Sequence, residues 1–370
     1  MTAKRTPLYH AFKARNAEMA EKAHFLTANV FTDAKSEHEA VRNAAGLFEI
    51  FGQFLVEVAG AKAETFLNET FVADMSKVAP GRGINGGILN ENGGFIDDVI
   101  TYRPAPDMFW IVPAPHRVDK VEGYLKERAK PYGVHVVSLG YRYVSLSLQG
   151  PQSRACLQRV TSEDLSGEAL PGFGIVKTTV AGVDGVIVTR TGFTGELGYE
   201  LWVPTEHIES FYDTVLEAGK PLGLVPCGAG SMGSLRIEKR YPIWGRDIGE
   251  DTTPVEAGLG WTVKPKNAPY PGKAVVERQK QDGVERALVL LELPVGTVLP
   301  AIGTVVKLGG DAIGKVTSAA HGHTVGCGLA LAYVHIACAG DGQVLTLEDG
   351  TGVTVRRTAV YDPKSVRSRA

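Results

Sequence analysis

The stretch Arg190–Leu201 reads RTGFTGELGYEL, with glycines at 192, 195 and 198. A glycine at every third position suggests a nucleotide-binding loop. That loop needs a strand before it and a helix after it, because the helix N-terminus receives the phosphates. Here GVIVT precedes the motif and YELWVP follows from within it, both patterned as strands. Strand–loop–strand excludes the dinucleotide fold and fits a glycine-rich hairpin that approaches a ligand closely. Glu200 ends the motif among aromatic and apolar neighbours. Spacing alone favours a satisfied strand carboxylate slightly over a ligand-binding one.

Short β-type runs flank this hairpin on both sides: FLVEVAG, FIDDVITY, MFWIVPA, RYVSLSLQG and VKTTVAG. Helical patterns interrupt them at GAKAETFLNETF, HRVDKVEGYLKERAK and TEHIESFYDTVLEAGK. The last places Ile208, Phe211, Tyr212 and Val215 on one helical face. The elements mix without regular β-then-α alternation, which predicts an α+β fold. The polar stretch KPKNAPYPGKAVVERQKQDGVER reads as a helix plus a linker, and short strands dominate beyond it. EDGTG joins two alternating runs as a hairpin. The expected organisation is a main region over 1–280 and a small β-barrel domain over 285–370.

The 370 residues carry 39 basic and 41 acidic side chains, so no basic surplus points to nucleic acid. No apolar run is long enough to span a bilayer, and the first residues lack the apolar core of a signal peptide. The four cysteines show no paired spacing and read as reduced thiols. Together these features predict a cytoplasmic protein without membrane or nucleic-acid partners.

Asn90–Tyr102, NENGGFIDDVITY, sets Asp97 and Asp98 side by side in an apolar run. Strict alternation would put Phe95, Asp97 and Val99 on one face and Ile96, Asp98 and Ile100 on the other. Two carboxylates there must be solvated, paired or hydrogen-bonded. GSLRIEKRYPIWGRDI gathers Arg236, Lys239, Arg240 and Arg246 around Tyr241 and Trp244, a corner suited to a carboxylated ligand or a salt-bridged helix end. His321 and His323 have no third ligand at metal-site spacing, so no metal is expected. Cys227 lacks a histidine partner motif.

In this order, the segments resemble the aminomethyltransferase family: the glycine-cleavage T protein and its folate-dependent demethylase relatives. The matches include TPLY, EHEAVRNAAGLFEI, ILNENGGFIDDVITY, LQGPQS, RTGFTGELGYEL, LRIEKRYPIWGRDI, TPVEAGLGWTVK and YPGKAV, in register over residues 6 to 362. The resemblance implies a three-lobed fold around a channel that takes tetrahydrofolate as one-carbon acceptor. It implies that Asp97 serves the reacting N5 edge and that Glu200 binds the pteridine's amino edge. By similarity Phe193, Phe173 and Trp261 are pocket aromatics, and Arg236 serves the benzoyl-glutamate end. A fixed carboxylate would stabilise positive charge developing at N5. On this reading Asp97→Asn loses turnover while Asp98→Asn affects stability.

The chain departs from the glycine-cleavage pattern on the donor side. Phe51, Gln53 and Phe54 stand where that subgroup has Ser-His-Met-Gly, Ile84 replaces a Tyr, and Pro113 replaces an Asn. With Tyr241 and Trp244 these would line the substrate pocket. The asymmetry predicts a small N-, O- or S-methylated donor, hence a demethylase or methyltransferase. The alternatives are the glycine-cleavage T protein itself, acting on a lipoylated carrier protein, and a non-catalytic folate-binding protein.

Overall fold

Alternating apolar runs separated by glycine turns pair into three large sheets in the computed structural model, which describes residues 3–22 and 24–370. A six-stranded sheet has the order Ile175–Val180, Val183–Thr189, Gly198–Pro204, Tyr143–Gln149, Ala45–Glu49, Leu224–Pro226. A five-stranded sheet has the order Arg82–Leu89, Phe95–Ala105, Met108–Val112, Val56–Ala59, His135–Ser138. A closed six-stranded barrel, built between Arg286 and Arg356, holds Val289, Leu291, Val306, Val316 and Ala330 in its buried core. The fold is therefore α+β with a C-terminal barrel, as the sequence predicts, and EDGTG forms the hairpin between Val344–Leu347 and Gly352–Arg356.

One face of each open sheet is covered by an amphipathic helix. Ile208–Gly219 lays Ile208, Phe211, Tyr212 and Val215 against Leu146, Tyr199 and Leu201 of the six-stranded sheet. Val118–Ala129 lays Val121 and Leu125 against Val56, Phe109 and Ile111 of the five-stranded sheet. The remaining faces meet each other. Leu55, Tyr102, Trp110 and Val112 from one sheet pack on Tyr143, Ile187 and Trp202 from the other. Tyr102 and Trp202 are fully buried there. Burying an aromatic side chain of this size stabilises by roughly 1.5–3 kcal/mol, so this contact fixes how the two sheets face.

Two helices matter most among the four that lie outside the stretches predicted as helical. Ala34–Asn43 begins at Asp33, whose carboxylate accepts the Lys35 and Ser36 N–H groups. Ala229–Glu238 docks the barrel through Ile237, which packs on Leu288, Leu290 and Leu331. The second is glycine- and serine-rich with a weak apolar stripe, so helical periodicity was faint in it.

The Asp-Asp strand does not alternate strictly. Asp97 pairs with Ile88 and Phe95 with Leu89, leaving Ile96 as an extra residue in a β-bulge. Gly94, just before the bulge, has no room for a side chain: a Cβ would lie 1.9 Å from the Glu250 carbonyl oxygen. We expect Gly94→Ala to push this loop off the strand and to destabilise the chain by about 1–3 kcal/mol. A lowered urea midpoint would register this, and an unchanged midpoint would contradict the packing.

Candidate functional site

Alternation along the strand beyond the bulge decides which carboxylate faces the space between the sheets. Beyond Ile96 the cross-strand pairs are Ile88↔Asp97, Gly87↔Asp98, Asn85↔Ile100 and Gly83↔Tyr102, and paired residues share a face. Tyr102 belongs to the inter-sheet cluster, so Asp98 and Asn85 lie on that inner face. Asp97, Ile88 and Ile84 lie on the outer, helix-covered face. Ile84, expected in the substrate pocket, instead packs against the outer core, and the inward residue beside it is Asn85.

The two aspartates differ accordingly. Asp97 is completely buried and held by backbone donors: the Asp98 N–H at 2.9 Å and the Ala114 N–H at 3.1 Å. Burial, then the neighbouring Asp98 charge, push its carboxyl up to about 8. Asp98 is half-buried and free of side-chain hydrogen bonds among the described residues, and burial raises it to about 7. One carboxylate is a strut; the other is available.

Glu200 stands on the facing sheet, opposite Ser147 and Thr189, and its neighbour on the same face is Trp202. Its Oε2 is buried without a hydrogen-bond partner among the described residues, and burial raises its carboxyl to about 7. The same holds, among those residues, for the buried Tyr102 hydroxyl and Trp202 Nε1. The Glu200 charge in turn helps to raise Tyr102 further. Asp98 lies four residues from Tyr102, about 13 Å along the strand. The strip thus carries two carboxylates near neutrality at its ends and orphaned polar atoms between. Such a strip suits a flat ligand that brings N–H donors of its own.

The glycine-rich loop borders the strip. Gln149, fully buried, sits beneath it, taking a hydrogen bond from Thr194 Oγ1 at 2.9 Å and donating to the Thr191 carbonyl at 3.1 Å. A Cβ at Gly192 or Gly198 would lie 1.9 or 2.3 Å from the Gln149 amide. The glycine spacing therefore serves a buried amide. Phe193, in the loop, lies 5.6 Å from the Tyr241 ring, so two of the expected site aromatics come together. Phe173 is half-buried at positive φ, and its carbonyl accepts the Gly83 N–H.

On the other side, Gln53 accepts from Ser145 Oγ at 3.0 Å, on the Trp202-facing side of its strand. Phe51 is half-buried beside Phe25, and Pro113 is buried directly before Ala114. Trp244 donates to the Phe95 carbonyl at 3.3 Å, under the Arg117 guanidinium. Arg236 is buried, and its Nη1 donates to Asp247 at 2.8 Å and to the Tyr241 carbonyl at 2.9 Å, while its Nε is buried without a partner among the described residues. Trp261 is 58% exposed rather than enclosed in a pocket. Asn85 was missed because the sequence does not show which face of its strand meets the other sheet.

Between about pH 4 and pH 8 the folded chain retains the Asp97 proton that the unfolded chain has lost, so stability falls as pH rises. Asp97→Asn should make that decline shallower. Its amide must face one backbone N–H with a donor, which costs about 1–3 kcal/mol. Urea denaturation across this pH range checks both effects.

The comparisons agree with this architecture. Residues 8–267 match the GCVT N-terminal domain, and residues 286–363 match the glycine cleavage T-protein C-terminal barrel domain. An aminomethyltransferase of Caldanaerobacter subterraneus is 36% identical over 90% of this chain and 88% of its own length. An aminomethyltransferase of Bacillus subtilis is 32% identical over 93% of this chain and 94% of its own. The crystal structure of the glycine cleavage system aminomethyltransferase T from Bartonella henselae superposes with a TM-score of 0.89 at 28% identity. That match covers 97% of this chain and 98% of the other. No helix among the described residues is long and apolar enough to cross a membrane. The chain belongs to the glycine-cleavage T-protein family of aminomethyltransferases, one-carbon transferases whose acceptor is tetrahydrofolate.

Proposed function

We propose that the strip between the sheets binds tetrahydrofolate and that the donor is an aminomethyl group on a lipoylated carrier protein. The observation that carries the site assignment is the contrast between Asp97, buried under two backbone amides, and Asp98, half-buried and unpaired. Glu200 accepts two parallel hydrogen bonds from the amino and ring N–H edge of the pteridine, satisfying its orphaned oxygen. Asp98 faces the reacting nitrogen, where its charge stabilises the positive charge that develops during transfer. With its carboxyl raised to about 7, Asp98 exchanges a proton near neutral pH. Phe193 and Tyr241 border the acceptor.

The carrier donor is favoured by the relatives, which bear the name aminomethyltransferase at 31–36% identity along most of their length. This replaces the small methylated donor as the leading reading. A small donor remains the second reading, supported by Phe51, Gln53 and Pro113 standing where the glycine-cleavage pattern has other residues.

Incubation with tetrahydrofolate and the aminomethyl-loaded carrier should yield 5,10-methylenetetrahydrofolate, with the amino nitrogen released as ammonia. A 5-methyl product formed solely from a small methyl donor would reverse the ranking. In the productive assay Asp98→Asn should lower kcat at least about 100-fold, the scale of a lost electrostatic stabiliser, while tetrahydrofolate binding survives. A greater loss for Asp97→Asn, in protein shown to be folded, would move the role back to that residue.

A further inference from the structure

The loop Thr191–Leu197 is held from behind by a segment that the site described above does not include. Glu196, its side chain fully buried, accepts three hydrogen bonds. They come from Arg42 Nη1 at 2.9 Å, the Tyr361 hydroxyl at 2.7 Å and Arg367 Nε at 2.6 Å. Arg42, on helix Ala34–Asn43, also donates to the Thr194 carbonyl and to Glu238, each at 2.8 Å. A second anchor lies beside it. The Lys239 stem runs so close to Gly195 that a Cβ there would lie 2.4 Å from it. Its ammonium donates to the Asp362 carbonyl at 2.6 Å.

Asp362 organises the segment. Its carboxylate accepts the Val366 N–H at 2.9 Å and the Arg367 N–H at 3.2 Å, closing a tight turn. The turn points the Arg367 guanidinium at Glu196 and at the Arg42 carbonyl, 2.6 Å away. A buried carboxylate must be fully paired, and here the body of the protein supplies one donor while the segment supplies two. The loop therefore reaches its observed position only with the segment in place.

We infer that Tyr361–Arg367 is a clamp that sets the Phe193-bearing loop, and that Arg367 is a positioning residue for the folate acceptor. The inference rests on the folate reading of the inter-sheet strip and is independent of the donor. Arg367 acts through Glu196 and touches no reacting atom. Its side chain is 38% exposed, so its removal empties no core.

The test is tetrahydrofolate binding by calorimetry, together with steady-state kinetics, on the full chain. Arg367→Ala should raise both Kd and KM for tetrahydrofolate about ten-fold, the scale of one lost charge-assisted hydrogen bond. The value of kcat should stay within about two-fold, and Arg367→Lys should recover most of the affinity. Combining Arg367→Ala with Glu196→Gln should cost less than the sum of the two single effects, because the two share one contact. Should Arg367→Ala not fold, Tyr361→Phe removes a single hydroxyl and should shift KM in the same direction. An unchanged KM in these variants, or a fall in kcat and melting temperature without a KM shift, overturns the clamp. Glu200→Gln separates the two claims. If it leaves folate affinity intact, the strip reading itself fails. If it weakens binding while Arg367→Ala does not, only the clamp fails.

Discussion

One extra residue sets how the end of the Asp-Asp strand packs. Without the bulge at Ile96, alternation along Phe95–Ala105 would turn Phe95 and Asp97 toward the same side. With it, Phe95, Asp98, Ile100 and Tyr102 share the inner face, and Ile96 and Asp97 turn outward. The bulge also frees backbone carbonyls, and the structure uses them. Trp244 donates to Phe95 and Arg117 donates to Ile96. These contacts tie Trp244, in the segment after helix Ala229–Glu238, and Arg117, at the start of helix Val118–Ala129, to the end of the strand beside Asp98. A local irregularity thus positions the wall next to Asp98.

The meeting of the two sheets then fixes the electrostatics. Each sheet has one face sealed by a helix, so the inner faces have only each other to pack against. Trp202 and Tyr102 fill the middle of that contact and exclude water. Carboxylates at the edge of such an apolar contact lose hydration, which disfavours their charged forms. Asp98 and Glu200 are both raised to about 7 for this reason. Groups poised near neutrality at both ends of one strip are what proton exchange and recognition of an N–H edge require.

Much of this was legible in the sequence, and the failures have identifiable causes. The strand–loop–strand setting of RTGFTGELGYEL excluded a dinucleotide fold, and the barrel showed as a run of short strands. Glu200, Phe193 and Tyr241, which the proposed site uses, stand in motifs the sequence displays. Period-two reasoning separates Asp97 from Asp98, but which of the two faces meets the other sheet is set by tertiary packing that a single strand does not reveal. The same unknown face separates Asn85 from Ile84. Arg236 was legible as a basic residue among aromatics, but its ion pair through Nη1 with Asp247, eleven residues on, was not. The glycine triplet suggested ligand approach, whereas Gly192 and Gly198 make room for the buried Gln149.

The central claim is that Asp98, and not its neighbour, faces the acceptor. A crystal structure with bound tetrahydrofolate tests it most directly. The account predicts the reacting N5 edge against the Asp98 carboxylate and the pteridine amino edge against Glu200, with Asp97 still holding the Ala114 N–H. A folate whose N5 lies against Asp97, or one bound away from the strip between the sheets, would contradict it.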